Sequence, residues 1–191
     1  MTRAVFLDRD GVINEVLSAR VKFVNTPEQF YLLSGVGEAI KQLNDLGWKV
    51  FVVTNQGGIG LRYMTHSDLE AIHQKMEQDL AAYEAKIDAI AYCPHRPKAG
   101  CPCRKPKPNM ILDLAKKHHI DLTESYMVGD RAPDIEAGKQ AGVQTVLVGH
   151  REQPIKADLT FSNLLDFVNA LANKEAGTNV WRLPQNTNNL E

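Results

Sequence analysis

Two acidic residues near the N-terminus, Asp8 and Asp10, have the spacing and the setting of a catalytic pair. They follow an apolar run at residues 5–7 and are followed at once by Gly11. A short apolar run stopped by charge and glycine predicts a buried parallel strand that ends at the edge of a sheet. Carboxylates two residues apart at such an edge can share a hard cation such as Mg²⁺. One of them can then attack an electrophile while the other moves a proton; the alternative interpretation is a solvated turn.

A second set of reactive residues, Cys93, His95, Cys101 and Cys103, lies in a proline-rich stretch and contains all three cysteines of the chain. Two pairs with one-residue spacing form a Cys₃His ligand set for a tetrahedral Zn²⁺ ion. Because the protein would fill all four positions, we expect a structural rather than a catalytic zinc. The prolines exclude a regular element here, so the metal is expected to order the loop. The alternative is three free thiols.

Further polar residues follow other apolar runs of the chain. They are Thr54, Asn55, Gln56, Arg104, Lys105, Asp130, Arg131 and Asp134. If the runs are parallel strands, these residues meet the two acids in one crevice at the carboxyl edge of the sheet. Carboxylates, a hydroxyl and a lysine brought together are the groups that phosphoryl transfer requires.

The apolar runs alternate with helical patterns, which predicts an α/β fold with a parallel sheet. We expect a Rossmann-like, doubly wound, single domain over residues 1–173, without a large cap and with a small zinc-bound loop. A polar tail is expected over residues 174–191. No dinucleotide-binding glycine motif follows the first run. Strands are predicted at 48–53, 87–92, 125–128, 143–148 and 159–161, and helices at 36–46, 65–83, 110–117, 135–141 and 163–172.

Four motifs in order, DRDG, VVTNQ, CRKPKP and VGDRAPD, resemble those of the haloacid dehalogenase superfamily of aspartyl phosphatases. With the cysteine and histidine spacing just before RKP, the chain is similar to one branch in particular. That branch holds the D-glycero-D-manno-heptose 1,7-bisphosphate phosphatases and the histidinol-phosphate phosphatases. The resemblance covers residues 5 to 148.

The resemblance implies a role for each matched residue. Asp8 would be the nucleophile, and Asp10 would protonate the leaving alcohol and then activate water. Thr54 and Lys105 would stabilise the phosphoryl group. Mg²⁺ would be held by the Asp8 carboxylate, the Asp10 carbonyl and Asp130, whereas Asp134 is expected to cap a helix. Contacts with substrate would come from Asn55, Gln56, Arg104 and Arg131, with Arg62 as a candidate for a distal phosphate.

The chain departs from the family pattern where substrate is expected to bind. Residues 20–24 read RVKFV where relatives have a Gly-Tyr-Val type segment, and residues 58–62 read GIGLR where many relatives have Gly-Ile-Ala-Arg-Gly. Arg20 and Lys22 therefore join Arg62 as candidates for binding a distal phosphate. The expected substrate is the 7-phosphate of heptose 1,7-bisphosphate, and the alternative is histidinol phosphate. A non-catalytic phosphate-binding protein and a phosphotransferase on the same fold are further alternatives.

Composition sets the remaining expectations. The formal net charge is −1 and 43% of the residues are hydrophobic, which indicates no nucleic-acid or anionic-membrane partner. No stretch is apolar and long enough to span a bilayer. We expect a cytoplasmic monomer that acts on a small phosphorylated molecule. The other histidines have no ligand spacing and are expected on the surface or at caps: His66, His73, His118, His119 and His150.

Overall fold

Strands and helices alternate along the chain in the computed structural model, which describes residues 2–149 and 154–177. Within those residues the strands are β1 (Ala4–Leu7), β2 (Lys49–Asn55), β3 (Ala89–Cys93), β4 (Tyr126–Gly129), β5 (Gln144–Val148) and β6 (Leu159–Phe161). The helices are α1 (Val36–Asp45), α2 (Gly57–Gly60), α3 (His66–Ala81), α4 (Asn109–His118), α5 (Ala132–Ala141) and α6 (Leu164–Glu175). Short 3₁₀ helices occupy Pro27–Gln29 and Leu122–Glu124.

The strands form one parallel sheet in the order β3-β2-β1-β4-β5-β6. Phe6 of β1 is in register with Phe51 of β2 on one side and with Met127 of β4 on the other. The chain therefore winds outward in both directions from the boundary between β1 and β4. Ligands of open α/β sheets bind at such a switch point, at the carboxyl ends of the strands. The predicted doubly wound fold is confirmed.

Helices cover both faces of the sheet, so the strands are buried on both sides and read as continuous apolar runs. Val5 and Leu7 belong to the core on the face of α1, α3 and α6. Ala4 and Phe6 alternate with them and belong to the core on the face of α4 and α5. Burial on both faces fixes the register of β1, because a slip of one residue would exchange the two sets. That register determines where Asp8 emerges.

Local signals place several helix ends where the sequence predicts them. The Thr65 hydroxyl accepts a hydrogen bond from the Asp68 amide (3.1 Å), and the Asp68 carboxylate accepts one from the Thr65 amide (2.8 Å). This reciprocal capping starts α3 at the predicted position. Gly142 ends α5 with a φ of 81°, a conformation that favours glycine.

Other parts of the fold differ from the expectations. The glycine-rich segment after β2 forms α2, and α6 extends through Glu175, so the helix includes the first two residues of the predicted tail. Glu175 forms an ion pair with Arg3, which ties the end of α6 to the start of the sheet. The rest of the predicted tail, residues 178–191, lies outside the described residues. No helix in the described part of the chain has the length and apolar character needed to cross a membrane.

The histidines do not all lie on the surface or at caps. His73 is 8% exposed on the inner face of α3, and its ring lies edge-on to Tyr92. The prediction is therefore wrong for His73, because the apolar stripe of α3 passes through this position. His66 begins α3 on the surface and His119 caps α4, as expected. His118 is half-buried and its ring packs against Phe51, and His150 lies outside the described residues.

Candidate active site

Asp8 is the first residue after β1, and its amide donates to the Val128 carbonyl of β4 (2.9 Å). Its carboxylate is buried and accepts a hydrogen bond from the Lys105 ammonium group (2.8 Å). Burial raises the pKa of Asp8 to about 6 because the charged form loses hydration. The Lys105 ammonium opposes this shift in pKa, and the nearby carboxylates of Asp134 and Asp10 reinforce it. Asp8 thus lies at the switch point as a poorly solvated and reactive carboxylate.

Asp10 is held by donors on three sides. The Arg9 guanidinium contacts both carboxylate oxygens (3.0 and 3.1 Å), Asn14 donates to one oxygen (3.0 Å), and Gln56 donates to the other (3.0 Å). Burial alone would raise the pKa of Asp10, but the Arg9 charge and these hydrogen bonds outweigh it and hold the pKa below its ordinary value. Arg9 is 0% exposed. Arg9 and Asn14 were not predicted as site residues, and the place of Arg9 between two acids is the signal that could have identified Arg9.

The end of β2 supplies Thr54, Asn55 and Gln56, and the three side chains have different partners. Gln56 donates to the buried Thr54 hydroxyl (2.8 Å), so it links Thr54 to Asp10. The Asn55 carboxamide forms two hydrogen bonds with the backbone of Lys105, at 3.1 and 3.0 Å. Asn55 therefore positions Lys105 and is engaged with the protein in addition to lining the cavity.

Lys105 brings its ammonium group to three acceptors. These are Asp8 Oδ1 at 2.8 Å, Asp134 Oδ1 at 2.7 Å and the Val53 carbonyl at 2.6 Å. Burial would lower the pKa of Lys105, but the charges of Asp134 and Asp8 outweigh it and raise the pKa. Lys105 therefore stays charged at the bottom of the site.

Asp134 has two roles in the structure. Its Oδ2 accepts from the Arg131 amide (3.1 Å) at the start of α5, which matches the cap expected from the sequence. Its Oδ1 also pairs with Lys105, a contact that was not predicted. Asp134 lies in the first turn of α5, just after the end of β4, so it faces the edge of the sheet where Lys105 also lies.

The carboxylates of Asp8, Asp130 and Asp134 are buried, and one oxygen of each lies within 4.8 Å of the others. Carboxylate oxygens are the ligands that Mg²⁺ prefers. Gly11 makes room for this group, since a Cβ there would lie 2.2 Å from Asp130 Oδ2. The donor set therefore fits Mg²⁺, with Asp134 as a neighbour that the sequence analysis left off the metal ligands.

The four residues predicted to bind zinc come together on one side of the site. One ligand atom each from Cys93, His95, Cys101 and Cys103 lies within 4.8 Å of the others. The Cys103 sulfur is 2.9 Å from the Cys93 sulfur and 3.3 Å from His95 Nδ1. Three sulfurs and an imidazole nitrogen in this arrangement fit a tetrahedral Zn²⁺ ion.

A cavity of about 400 Å³ opens above these groups. Asp8, Asp10, Thr54 and Lys105 line it. Its other lining residues include the predicted contacts Asn55, Gln56, Arg104 and Arg131.

The three cations proposed for a distal phosphate do not line this cavity. Arg62 has a φ of 63°, and its neighbours Leu61 and Tyr63 line the cavity instead. Arg20 pairs with Glu15 on the surface, and Lys22 is exposed and also absent from the lining.

The fold and the site together define a phosphatase of the haloacid dehalogenase superfamily, and the Hydrolase_like family model (HAD-hydrolase-like) matches residues 102–164. The chain belongs, within that superfamily, to the D-glycero-β-D-manno-heptose-1,7-bisphosphate 7-phosphatase family. It is 42% identical over 147 residues to such an enzyme of Rhodopseudomonas palustris, covering 73% of this chain and 79% of the relative. A relative of the same name from Helicobacter pylori is 37% identical, over 86% of this chain and 93% of the relative.

A solved structure gives the same result. The D,D-heptose 1,7-bisphosphate phosphatase of B. bronchiseptica, crystallised with magnesium and phosphate, superposes with a TM-score of 0.81 at 34% identity. The match covers 91% of this chain and 99% of that one. The resemblance seen in the four sequence motifs is therefore confirmed.

Proposed function

We propose that this protein hydrolyses the 7-phosphate ester of D-glycero-β-D-manno-heptose 1,7-bisphosphate through a phosphorylated Asp8. One observation carries the chemistry: the buried Asp8 carboxylate lies at a cavity floor, hydrogen-bonded to Lys105, with Asp10 beside it. The names of the relatives supply the substrate. Asp8 and Asp130, together with the Asp10 carbonyl, would hold Mg²⁺, which would supply positive charge to balance the phosphate.

In the first step an Asp8 oxygen attacks phosphorus. The new Asp8 O–P bond forms as the ester P–O bond breaks, and Asp10 gives its proton to the departing alcohol oxygen. Asp10 is a carboxylate in the free protein, and the negative charge of an arriving phosphate raises its pKa and favours the protonated form. The Lys105 ammonium group and the Thr54 hydroxyl stabilise the phosphoryl oxygens.

In the second step water replaces Asp8 on phosphorus. Asp10 accepts a proton from the water molecule as the water oxygen bonds to phosphorus and the Asp8 O–P bond breaks. The hydrogen bonds from Arg9, Asn14 and Gln56 keep Asp10 in one orientation, so one carboxyl group can serve both steps. Phosphate then leaves and Asp8 is restored.

The zinc loop is proposed to hold Lys105 in place. Cys103 lies two residues before Lys105, and the Arg104 side chain donates to the His95 carbonyl (3.1 Å). Asn55 secures the same segment from the side of β2. Zinc bound at the four ligands would therefore stabilise the catalytic geometry without taking part in the chemistry.

The test is phosphate release from both anomers of heptose 1,7-bisphosphate and from histidinol phosphate, with Mg²⁺. We expect a clear preference for the β heptose bisphosphate and loss of activity in Asp8→Asn. Asp8→Asn keeps the size of the side chain but removes the nucleophilic oxygen. Preference for histidinol phosphate would refute the substrate assignment, and full activity in Asp8→Asn would refute the mechanism.

A further inference from the structure

Three large apolar side chains are exposed at the mouth of the catalytic cavity. Phe23 is 54% exposed, Leu61 is 46% exposed and Tyr63 is 71% exposed, and all three line the cavity that contains Asp8. We call these three residues the apolar platform. Exposed apolar surface that is continuous with a functional cavity commonly marks a binding site.

The backbone beneath the platform is well supported. Tyr63 donates its amide to the Gly58 carbonyl (2.8 Å), and Leu61 donates to the Gly57 carbonyl (3.0 Å). Each platform aromatic is followed by a buried anchor: Val24 after Phe23 and Met64 after Tyr63. The backbone that carries these side chains is thus ordered before a ligand arrives, which lowers the entropy cost of binding.

The chemistry of the platform suits the carbon skeleton of a sugar. Its three side chains carry no charge, and the Tyr63 hydroxyl is their only hydrogen-bonding group, so the platform lacks the cationic groups that bind phosphate most strongly. The face of an aromatic ring is electron-rich and attracts the weakly positive C–H groups on one face of a sugar ring. Asn25 lines the cavity next to Val24, and its Oδ1 lies 3.3 Å from the position that a Cβ would take if Gly58 had one. Its carboxamide can form hydrogen bonds with the hydroxyl groups of a sugar.

We propose that Phe23, Leu61 and Tyr63 bind the carbon face of the sugar ring in the leaving group and so determine the specificity of the enzyme. This inference rests on the proposed function and adds the residues that recognise the part of the substrate beyond the reacting phosphate. The platform does not touch phosphorus, so it acts on binding of the substrate and not on the chemical steps.

Steady-state kinetics of Phe23→Ala and Tyr63→Ala test the platform. For heptose bisphosphate we expect each variant to raise KM about tenfold, with kcat within about twofold of wild type, because an aromatic face no longer covers the ring. The inhibition constant of inorganic phosphate should stay unchanged, since phosphate alone does not reach the platform. Tyr63→Phe keeps the ring and should restore the KM of the wild type.

Tyr83→Ala is the matched control, because Tyr83 is an exposed tyrosine (46%) that does not line the cavity. It should leave KM unchanged. An unchanged KM in both platform variants of an active enzyme would refute the platform alone. Weaker inhibition by phosphate in those variants would also refute it, since the residues would then be supporting the catalytic groups.

Two further outcomes concern the substrate. A wild-type enzyme that is inactive on the heptose bisphosphate would refute the proposed function, and the platform inference with it. A preference for an aryl phosphate that is lost in Tyr63→Ala would overturn the assignment of a sugar ring.

Discussion

Replacing Lys105 with Met tests how far a single positive charge supports the site. Methionine has a similar length and no charge, so the change leaves the Asp8 and Asp134 carboxylates buried and facing each other without their shared partner. In the native protein the Lys105 ammonium group lies 2.8 Å from one and 2.7 Å from the other. The side chain of Lys105 is 2% exposed, so water screens these contacts little.

The expected loss of unfolding free energy is about 3 kcal/mol at pH 7, the lower part of the range for breaking a buried ion pair. We use the lower end of that free-energy range because Asp8, whose pKa is already about 6, can take up a proton and relieve the repulsion between the two carboxylates. A carboxyl whose native pKa is raised binds more protons in the folded state, so its destabilising effect fades as the pH falls. The difference between variant and wild type should therefore shrink from pH 7 to pH 5.

Urea unfolding without Mg²⁺ at both pH values measures this difference, and phosphate release measures the effect on the reaction. Lys105→Met should lower kcat/KM about 10²- to 10³-fold, because one stabilising charge on the phosphoryl group is lost. Lys41→Met is the control, since it breaks an exposed ion pair with Asp45, and such pairs contribute about 0.5 kcal/mol or less. Equal losses of stability in the two variants would refute the reasoning.

Three further predictions concern other parts of the molecule. Burial lowers the pKa of His73 to about 4, so at pH 5 the unfolded state binds the proton and wild type should lose about 2 kcal/mol of unfolding free energy between pH 7 and pH 5 through this residue. In His73→Leu this part of the loss should be absent from urea unfolding. Equal pH dependence in both proteins would contradict the prediction. Gly11→Ala should weaken Mg²⁺ binding about tenfold or more in calorimetry, because the new Cβ meets Asp130, whereas Gly47→Ala, also at positive φ but with nothing within 4 Å, should not. Cys101→Ser should contain no zinc in elemental analysis and should have a lower kcat with an unchanged Mg²⁺ requirement. Wild-type protein that is purified without chelator and holds no zinc would contradict the proposed site.

The sequence predicted those parts of the site that depend on local pattern and on topology. Asp8 and Asp130 follow from apolar runs that stop in acids, because a parallel sheet brings such ends to one edge. The cluster of Cys93, His95, Cys101 and Cys103, proposed to bind zinc, follows from spacing alone. In each case the residues that specify the feature are close together in the chain.

The sequence did not predict partners that come from distant elements. The hydrogen bonds of Asn55 to Lys105 join residues 50 positions apart, and nothing local indicates them. Arg62 was a candidate for substrate binding because of its place in the motif, and it has a left-handed backbone conformation and does not line the cavity. The burial of Arg9 beside Asp10 likewise depends on tertiary packing.

The loop that carries the proposed zinc ligands is anchored at both of its ends. Cys93 is the last residue of β3, and Lys105 is clamped by Asn55 at the end of β2. Residues 96–100 lie between the ligand pairs and are exposed. Pro97 of this segment lines the cavity, so a change in the length of the segment would reshape one wall of the cavity while the lysine stays in place. The arrangement separates the exposed part of the loop from the part that holds the catalytic lysine, so the cavity wall can be altered without rebuilding the catalytic centre.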